Sequence, residues 1–309
     1  MKKINIITAK GDGFGYGHFN RMRILADYLT DCPGNNFNVE LFTDYPDQPA
    51  DIFIFDRREN PTEIIRKYRE YPGAKIVLLD DHGGSREMAD CIIDSLPILN
   101  KDIFIPAKPV SYFSGFKYLI LAPELLEYKK KIRMTPSDYS GKNRNNRISI
   151  LFSLGSYMEQ NYSELIRKGL KGLPVEVRII DRLSPSEFYQ TLAECDIFVT
   201  YFGISLFEAD LLQKKIFLIN PTDYHSRLSE TVESIQIINC GLISDRGIRD
   251  LIDSLGEYVK IKLSPGAADV GPVNSNAYSS FCVPDLTTRL SSPKADGKGL
   301  ERVVEIINR

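Results

Sequence analysis

The chain reads as an α/β protein built from two parallel-sheet domains, and three observations lead there. Short apolar runs alternate with helical patterns through most of its 309 residues, the signature of strands joined by crossover helices. A polar stretch, Thr135–Arg147, interrupts that alternation, which then restarts with a strand of its own. The first strand also runs directly into four glycines at alternate positions, Gly11 to Gly17, and then into a helix.

In the first half, strands are expected at Ile4–Thr8, Val39–Thr43, Asp51–Phe55, Lys75–Leu79, Cys91–Ile93 and Tyr118–Leu121. Each is a short apolar run bounded by turn residues. Helical spacing of apolar residues predicts helices at Arg21–Leu29 and Pro61–Tyr71. Residues 1–134 are thus expected to form an N-terminal Rossmann-like domain. Residues 135–147 (TPSDYSGKNRNNR) form the linker, being rich in Gly and Asn and lacking a period. Seven Lys or Arg residues between Lys129 and Arg147 read as a solvated linker rather than a phosphate contact.

Residues 148–309 form the second Rossmann-like domain. Strands are predicted at Ile148–Ser153, Val175–Ile180, Asp196–Thr200 and Lys215–Ile219. Helices are predicted at Glu159–Leu170, Pro185–Glu194, Ser205–Gln213, Arg227–Ser234, Asp245–Tyr258 and Leu300–Ile307, the last able to pack back on the N-terminal domain. Ser264–Lys298 has Gly, Pro, Ser and Asn throughout and no sustained period. It reads as a surface insertion in preference to an active-site lid.

A net charge of −2 gives no bulk attraction to nucleic acid or anionic membrane. Five scattered cysteines, without a C-x-x-C pair, point to reduced thiols rather than a disulfide framework or zinc site. No apolar run approaches the ~20 residues of a membrane span, and the run after Lys2-Lys3 is too short for a signal peptide. The expected setting is the cytoplasm. Oligomeric state is left open.

The glycine segment is where chemistry is expected. It lacks the Gly-Lys-Ser/Thr of a P-loop, and Tyr16 or His18 falls where a dinucleotide fingerprint needs its third glycine. What it does is bring His18 to a helix N-terminus at the carboxyl edge of the first strand, where open α/β sheets bind ligands. A helix end offers unpaired N–H groups and a positive potential. Gly15, Gly17 and Arg21 flank that point. Asp80-Asp81-His82 follows a second strand to the same kind of edge and reads as a substrate-facing loop, not a metal site. In the second half, Gly155 and Ser156 form one turn after a strand. Gly203, Ser205 and Glu208 form another, with Ser205-x-x-Glu208 fitting a capping box or a diphosphate-and-ribose contact. Asp223 and His225 lie on the next loop.

These segments together resemble, in order, a known family. Gly15–Ala26 (GYGHFNRMRILA) resembles the G-x-G-H-x-x-R-x-x-x-L-A opening of the UDP-sugar hydrolases of pseudaminic acid biosynthesis, relatives of the MurG-type glycosyltransferases. Leu78–Asp81 with Ala89–Cys91, Gly115–Leu121, Ile150–Ser156, Leu192–Leu218 and the closing Asp296–Val303 (DGKGLERV) resemble further segments of that family. The resemblance implies a GT-B fold, two Rossmann-like domains facing across a cleft. It implies a UDP-sugar substrate, no cofactor and no metal. His18 would be the catalytic base. Gly15, Gly17, Arg21, Asp81, His82, Asp223 and His225 would contact the substrate. Gly155, Ser156, Gly203, Ser205 and Glu208 would hold the nucleotide, with Glu208 on the ribose. Two positions depart from the pattern. Asp56-Arg57-Arg58 stands where the family has Asp-x-Tyr, and Asp223–Ser226 stands where it has Asn-Gln. Hydrolysis of the anomeric bond is the first expectation, glycosyl transfer the alternative, and a non-catalytic nucleotide-sugar binding module the third.

Overall fold

The computed structural model describes residues 1–11, 17–31, 37–99, 110–134, 147–158, 160–181, 183–232, 234, 236–264 and 295–308. Gly15, Cys32, Cys282, most of the expected linker (135–146) and most of the expected insertion (265–294) lie outside the described residues. The α/β class and the two parallel sheets are as the sequence predicts. The chain divides into one unit of residues 1–123 and 293–309 and another of residues 124–292.

In the first unit six strands, β1 (Lys2–Thr8), β2 (Phe37–Phe42), β3 (Ile52–Asp56), β4 (Lys75–Leu79), β5 (Cys91–Asp94) and β6 (Ser111–Ser114), form one sheet in the order β2-β1-β3-β4-β5-β6. Every pairing is parallel. Because side chains alternate along a strand, the apolar runs cover both faces. Ile4, Ile6, Ile52, Ile54, Val77 and Leu79 point to one face, under helix α1 (Gly17–Asp31) and the C-terminal helix α9 (Gly299–Asn308). Ile7, Phe53, Phe55, Ile76 and Leu78 point to the other, against Ile65 and Tyr68 of helix α2 (Thr62–Arg69).

Helix α9 belongs to this unit because of a specific seat. A Cβ on Gly299 would lie 2.0 Å from the Leu119 carbonyl oxygen, so only glycine permits the approach. Arg302 grips both carboxylate oxygens of Asp296 and also donates to the Lys117 carbonyl. Lys75 Nζ donates to the Ile306 and Ile307 carbonyls, where a cation complements the helix C-terminus. The closing DGKGLERV segment is therefore a docking clasp.

The second unit opens with helix α3 (Glu124–Met134). Its five strands, β7 (Ile148–Ser153), β8 (Val175–Ile180), β9 (Ile197–Thr200), β10 (Lys215–Asn220) and β11 (Ile237–Leu242), lie in the order β11-β10-β9-β7-β8. Ile150, Phe152, Val199, Phe217 and Ile219 face helices α4 (Gln160–Gly169) and α8 (Asp245–Leu263) through Ile166, Ile248, Leu251 and Leu255. On the opposite face Phe198 meets Phe188 of helix α5 (Pro185–Glu194), ring centroids 6.1 Å apart. Helix α6 (Ile204–Leu211) follows β9, and helix α7 (Asp223–Ser229) follows β10.

Counted from its own first strand, each unit contains the order 2-1-3-4-5. The order reverses between β1 and β3 in the first unit and between β7 and β9 in the second. Doubly wound sheets bind ligands outside the carboxyl ends of the strands at that reversal.

Several elements differ from the sequence expectation. The apolar run Tyr118–Leu121 is not a strand. The sixth strand is Ser111–Ser114, which Gly115 ends with a positive φ of 104°; Leu119–Leu121 is buried without sheet pairing. Helix α3 and strand β11 were not expected, and α7 begins four residues before the predicted Arg227. Among the described residues no helix is long and apolar enough to cross a membrane.

Candidate functional site

At the reversal point of the first sheet, β1 ends at Thr8 and β3 ends at Asp56, paired side by side. Gly11 turns the chain with φ 88°, and α1 starts at Gly17, which puts His18 in its first turn. His18 Nδ1 lies 2.9 Å from Asp56 Oδ1. The Asp56 side chain is fully buried and that of His18 is 12% exposed. Burial alone would push the Asp56 carboxyl up. The Arg21 guanidinium and the His18 ring overcome that and hold it at about 2, so Asp56 is a carboxylate at neutral pH. A carboxylate accepts from Nδ1–H, which leaves Nε2 as the basic ring nitrogen.

Arg21 lies one turn along α1 from His18 and is 3% exposed. Its Nε donates to Asp56 Oδ2 at 2.7 Å and its Nη2 to Asp56 Oδ1, a forked pair. Its Nη1 donates to Asp80 Oδ2 at 2.6 Å. Burial opposes its charge, but the two carboxylates raise its pKa further above the ordinary arginine value. The sequence expects Arg21 to contact substrate. Its guanidinium is spent inside the unit on two carboxylates.

Asp81, also expected to contact substrate, likewise has internal partners. It is fully buried. Its oxygens accept from the Gly83 amide at 2.7 Å, from Ser85 Oγ and from Asn60 Nδ2. Burial raises its pKa against those donors. It shapes the loop after β4. His82 is half-buried on that loop, and its amide donates to the Arg58 carbonyl at 2.6 Å. Gly17 is exposed at the start of α1.

The loops around the reversal point are tied by a residue of the Asp56-Arg57-Arg58 segment. Arg57 donates from Nε to the Thr8 carbonyl at 3.1 Å and from Nη2 to the Thr43 carbonyl. Its guanidinium lies 4.6 Å from the Tyr45 ring centroid, and Tyr45 donates to Asn60 Oδ1 at 3.1 Å. One cation thus joins the ends of β1, β2 and β3.

At the corresponding edge of the second sheet, Gly155 opens a short 3-10 turn, residues 155–157, with φ 52°. Ser156 is the middle residue of that turn. Gly203 is the N-cap of α6 in extended conformation, and Ser205 lies in its first turn. The expected Ser205–Glu208 capping box is not formed, since the cap is Gly203. Glu208 is 6% exposed, bonded to the Tyr189 and Ser205 hydroxyls. Burial pushes its carboxyl up to about 7. The Glu208 side chain, expected to hold the ribose, turns into the unit toward α5.

Asp223 is exposed as the first residue of α7. His225 Nδ1 is 2.7 Å from Thr222 Oγ1, the N-cap side chain. Its ring stands edge to face with Tyr201 at 5.5 Å and Tyr224 at 5.7 Å, and Tyr201 in turn meets Tyr157 at 5.5 Å. A buried Asn220 joins the loops here, accepting from the Phe202 amide and from Ser229 Oγ. The structure thus brings Gly155, Tyr157, Tyr201 and His225 to the ends of three adjacent strands. Among the described residues no group of three or more His, Cys, Asp or Glu is arranged to hold a metal ion.

No protein-family model and no curated protein matches the chain. Solved structures of the wall teichoic acid polymerase TagF are similar in outline. One, a variant soaked with CDPG, has 12% identity and a TM-score of 0.48, covering 99% of this chain and 87% of the other. A second variant has 12% identity and a TM-score of 0.46, covering 99% and 88%. At that distance the similarity assigns no residue at either sheet edge.

Proposed function

We propose that the chain is an enzyme acting on a nucleotide-activated sugar, with His18 as general base and Asp56 as the group that orients it. The observation that carries this reading is the 2.9 Å pairing of His18 Nδ1 with a buried, ionised Asp56 at the strand-order reversal. In this role Nε2 takes the proton of an attacking hydroxyl while Asp56 stabilises the imidazolium that forms. Within the second unit, the Gly155 turn and the N-terminus of α6 present amide donors of the kind that bind phosphate. The His225 ring meets Tyr201, which in turn meets Tyr157 of the Gly155 turn.

Transfer to an acceptor hydroxyl is the reading favoured here. The hydrolase-like pattern has a tyrosine two residues after its aspartate, and this chain has Arg58 there, beside Arg57 tied to main-chain carbonyls. Hydrolysis is the second reading, supported by motifs that resemble the pseudaminic acid hydrolases from Gly15 to Val303. UDP is the nucleotide that this resemblance implies.

The test is nucleotide release from a panel of UDP-, CDP- and CMP-linked substrates, with and without hydroxyl acceptors. Acceptor-dependent release supports transfer, and equal release in buffer alone establishes hydrolysis. Tight binding without any release overturns the catalytic reading in favour of a binding module.

A further inference from the structure

The loop after β5, 78 positions beyond His18 in sequence at Leu96, is joined to the His18 ring by an unbroken series of hydrogen bonds, buried along its middle and part-buried at its two ends. Asp80 is the member that receives the Leu96 amide and passes the series on to Arg21. The Asp80 backbone is left-handed, with φ 47°, a conformation that non-glycine residues adopt rarely and aspartate and asparagine tolerate best. That turn sends its side chain back into the unit, where it is 3% exposed. Asp80 Oδ1 accepts from the Leu96 amide at 2.9 Å. Asp80 Oδ2 accepts from Ser95 Oγ at 2.7 Å and from Arg21 Nη1 at 2.6 Å. Arg21 then forks onto Asp56, and Asp56 accepts from His18 Nδ1.

The geometry of the fork makes this series directional. A guanidinium is planar, so holding Nη1 at Asp80 sets the plane in which Nε and Nη2 meet Asp56. That plane in turn sets where Asp56 Oδ1 stands, and Oδ1 decides which His18 nitrogen carries the proton. We propose that Asp80 is a positioning residue for His18, acting through Arg21 and Asp56, and that Ser95 and Leu96 hold it in place. The end of β5 is itself clamped, because Asp94 receives both Nη atoms of the fully buried Arg86 at 2.9 and 2.8 Å. The inference deepens the base role given to His18 above and rests on it for its catalytic consequence only.

The chain has three histidines, so nitrogen-15 NMR can follow each imidazole separately. Asp80→Asn suits the test because asparagine tolerates the left-handed backbone, removes the charge and replaces one acceptor oxygen with an NH2 that cannot accept from Arg21, Ser95 or Leu96. At a pH where the ring is neutral, the unaltered protein should show His18 as the Nδ1–H tautomer. In Asp80→Asn the His18 signals should move toward the Nε2–H tautomer while those of His82 and His225 stay in place. Ser95→Ala should move them the same way by a smaller amount. Should Asp80→Asn not fold, Ser95→Ala decides alone. Unchanged His18 signals in the folded variants overturn the proposal. In turnover, kcat should fall about 10- to 100-fold with KM held within about twofold, the pattern of a misplaced base. No turnover by the unaltered protein would remove the base role and leave the NMR result standing as a separate answer.

Discussion

Asp56, the last residue of β3, holds His18, the second residue of α1, by a 2.9 Å contact to Nδ1. The two are 38 positions apart, and sheet order alone brings them together, since β1 pairs with β3 rather than staying beside β2 only. Replacing Asp56 with Asn should keep the shape and remove the carboxylate that selects the tautomer. Nucleotide release should fall by about 10²- to 10⁴-fold, with the circular dichroism spectrum unchanged. A loss of less than threefold would show that Asp56 does not orient the base.

Arg21 is buried between Asp56 and Asp80, and its removal leaves two buried carboxylates without a counterion. Arg21→Met should lower stability by about 3–5 kcal/mol, seen as a lower urea midpoint. Arg21→Lys should recover part of that through its charge. It cannot fork onto Asp56 while reaching Asp80, so activity should stay low.

Glu208 gives a pH dependence of known sign. Its carboxyl titrates near 7 in the folded protein, well above the ordinary glutamate value of 4.5. Its neutral form is compatible with burial, so its contribution to stability is fully present below about pH 4.5 and is lost as pH rises through about 7. The span corresponds to ~3 kcal/mol. Urea unfolding at pH 5 and pH 8 should show this decline, and Glu208→Gln should flatten it. An equal slope in the variant would place the pH dependence elsewhere.

Gly299 tests the seat of the last helix. A Cβ there meets the Leu119 carbonyl oxygen at 2.0 Å, which backbone cannot relieve without moving α9. Gly299→Ala should lower stability by roughly 1–3 kcal/mol despite the better helix propensity of alanine. Thermal unfolding measures it, and a raised midpoint would contradict the docking.

What could be read from the sequence followed local chemistry. The alternating glycines marked the turn before His18, and unbroken apolar runs such as IFIFD of β3 marked strands buried on both faces. What could not be read depended on partners distant in sequence. Asp56, Asp80 and Ser95 carry no local signal that their side chains converge on Arg21. Arg21 and Asp81 looked available because polar residues beside a glycine turn ordinarily face solvent, and here internal partners claim both. Helix α3 was hidden in a run of lysines taken for linker, although Glu124 and Glu127 at its start and Lys131 and Arg133 at its end match the helix dipole. Strand β11 was hidden by Asn239 and by Gly241, whose φ is 83°. Apolar Tyr118–Leu121 reads as a strand because apolar character alone does not distinguish sheet pairing from packing under a helix.

The central claim is that His18 moves a proton in the reaction. The most direct measurement compares single-turnover nucleotide release by the unaltered protein and by His18→Ala, on whichever nucleotide-linked substrate is turned over. The chemical step should fall by about 10²- to 10⁴-fold, with substrate affinity retained. Full activity in His18→Ala would contradict it.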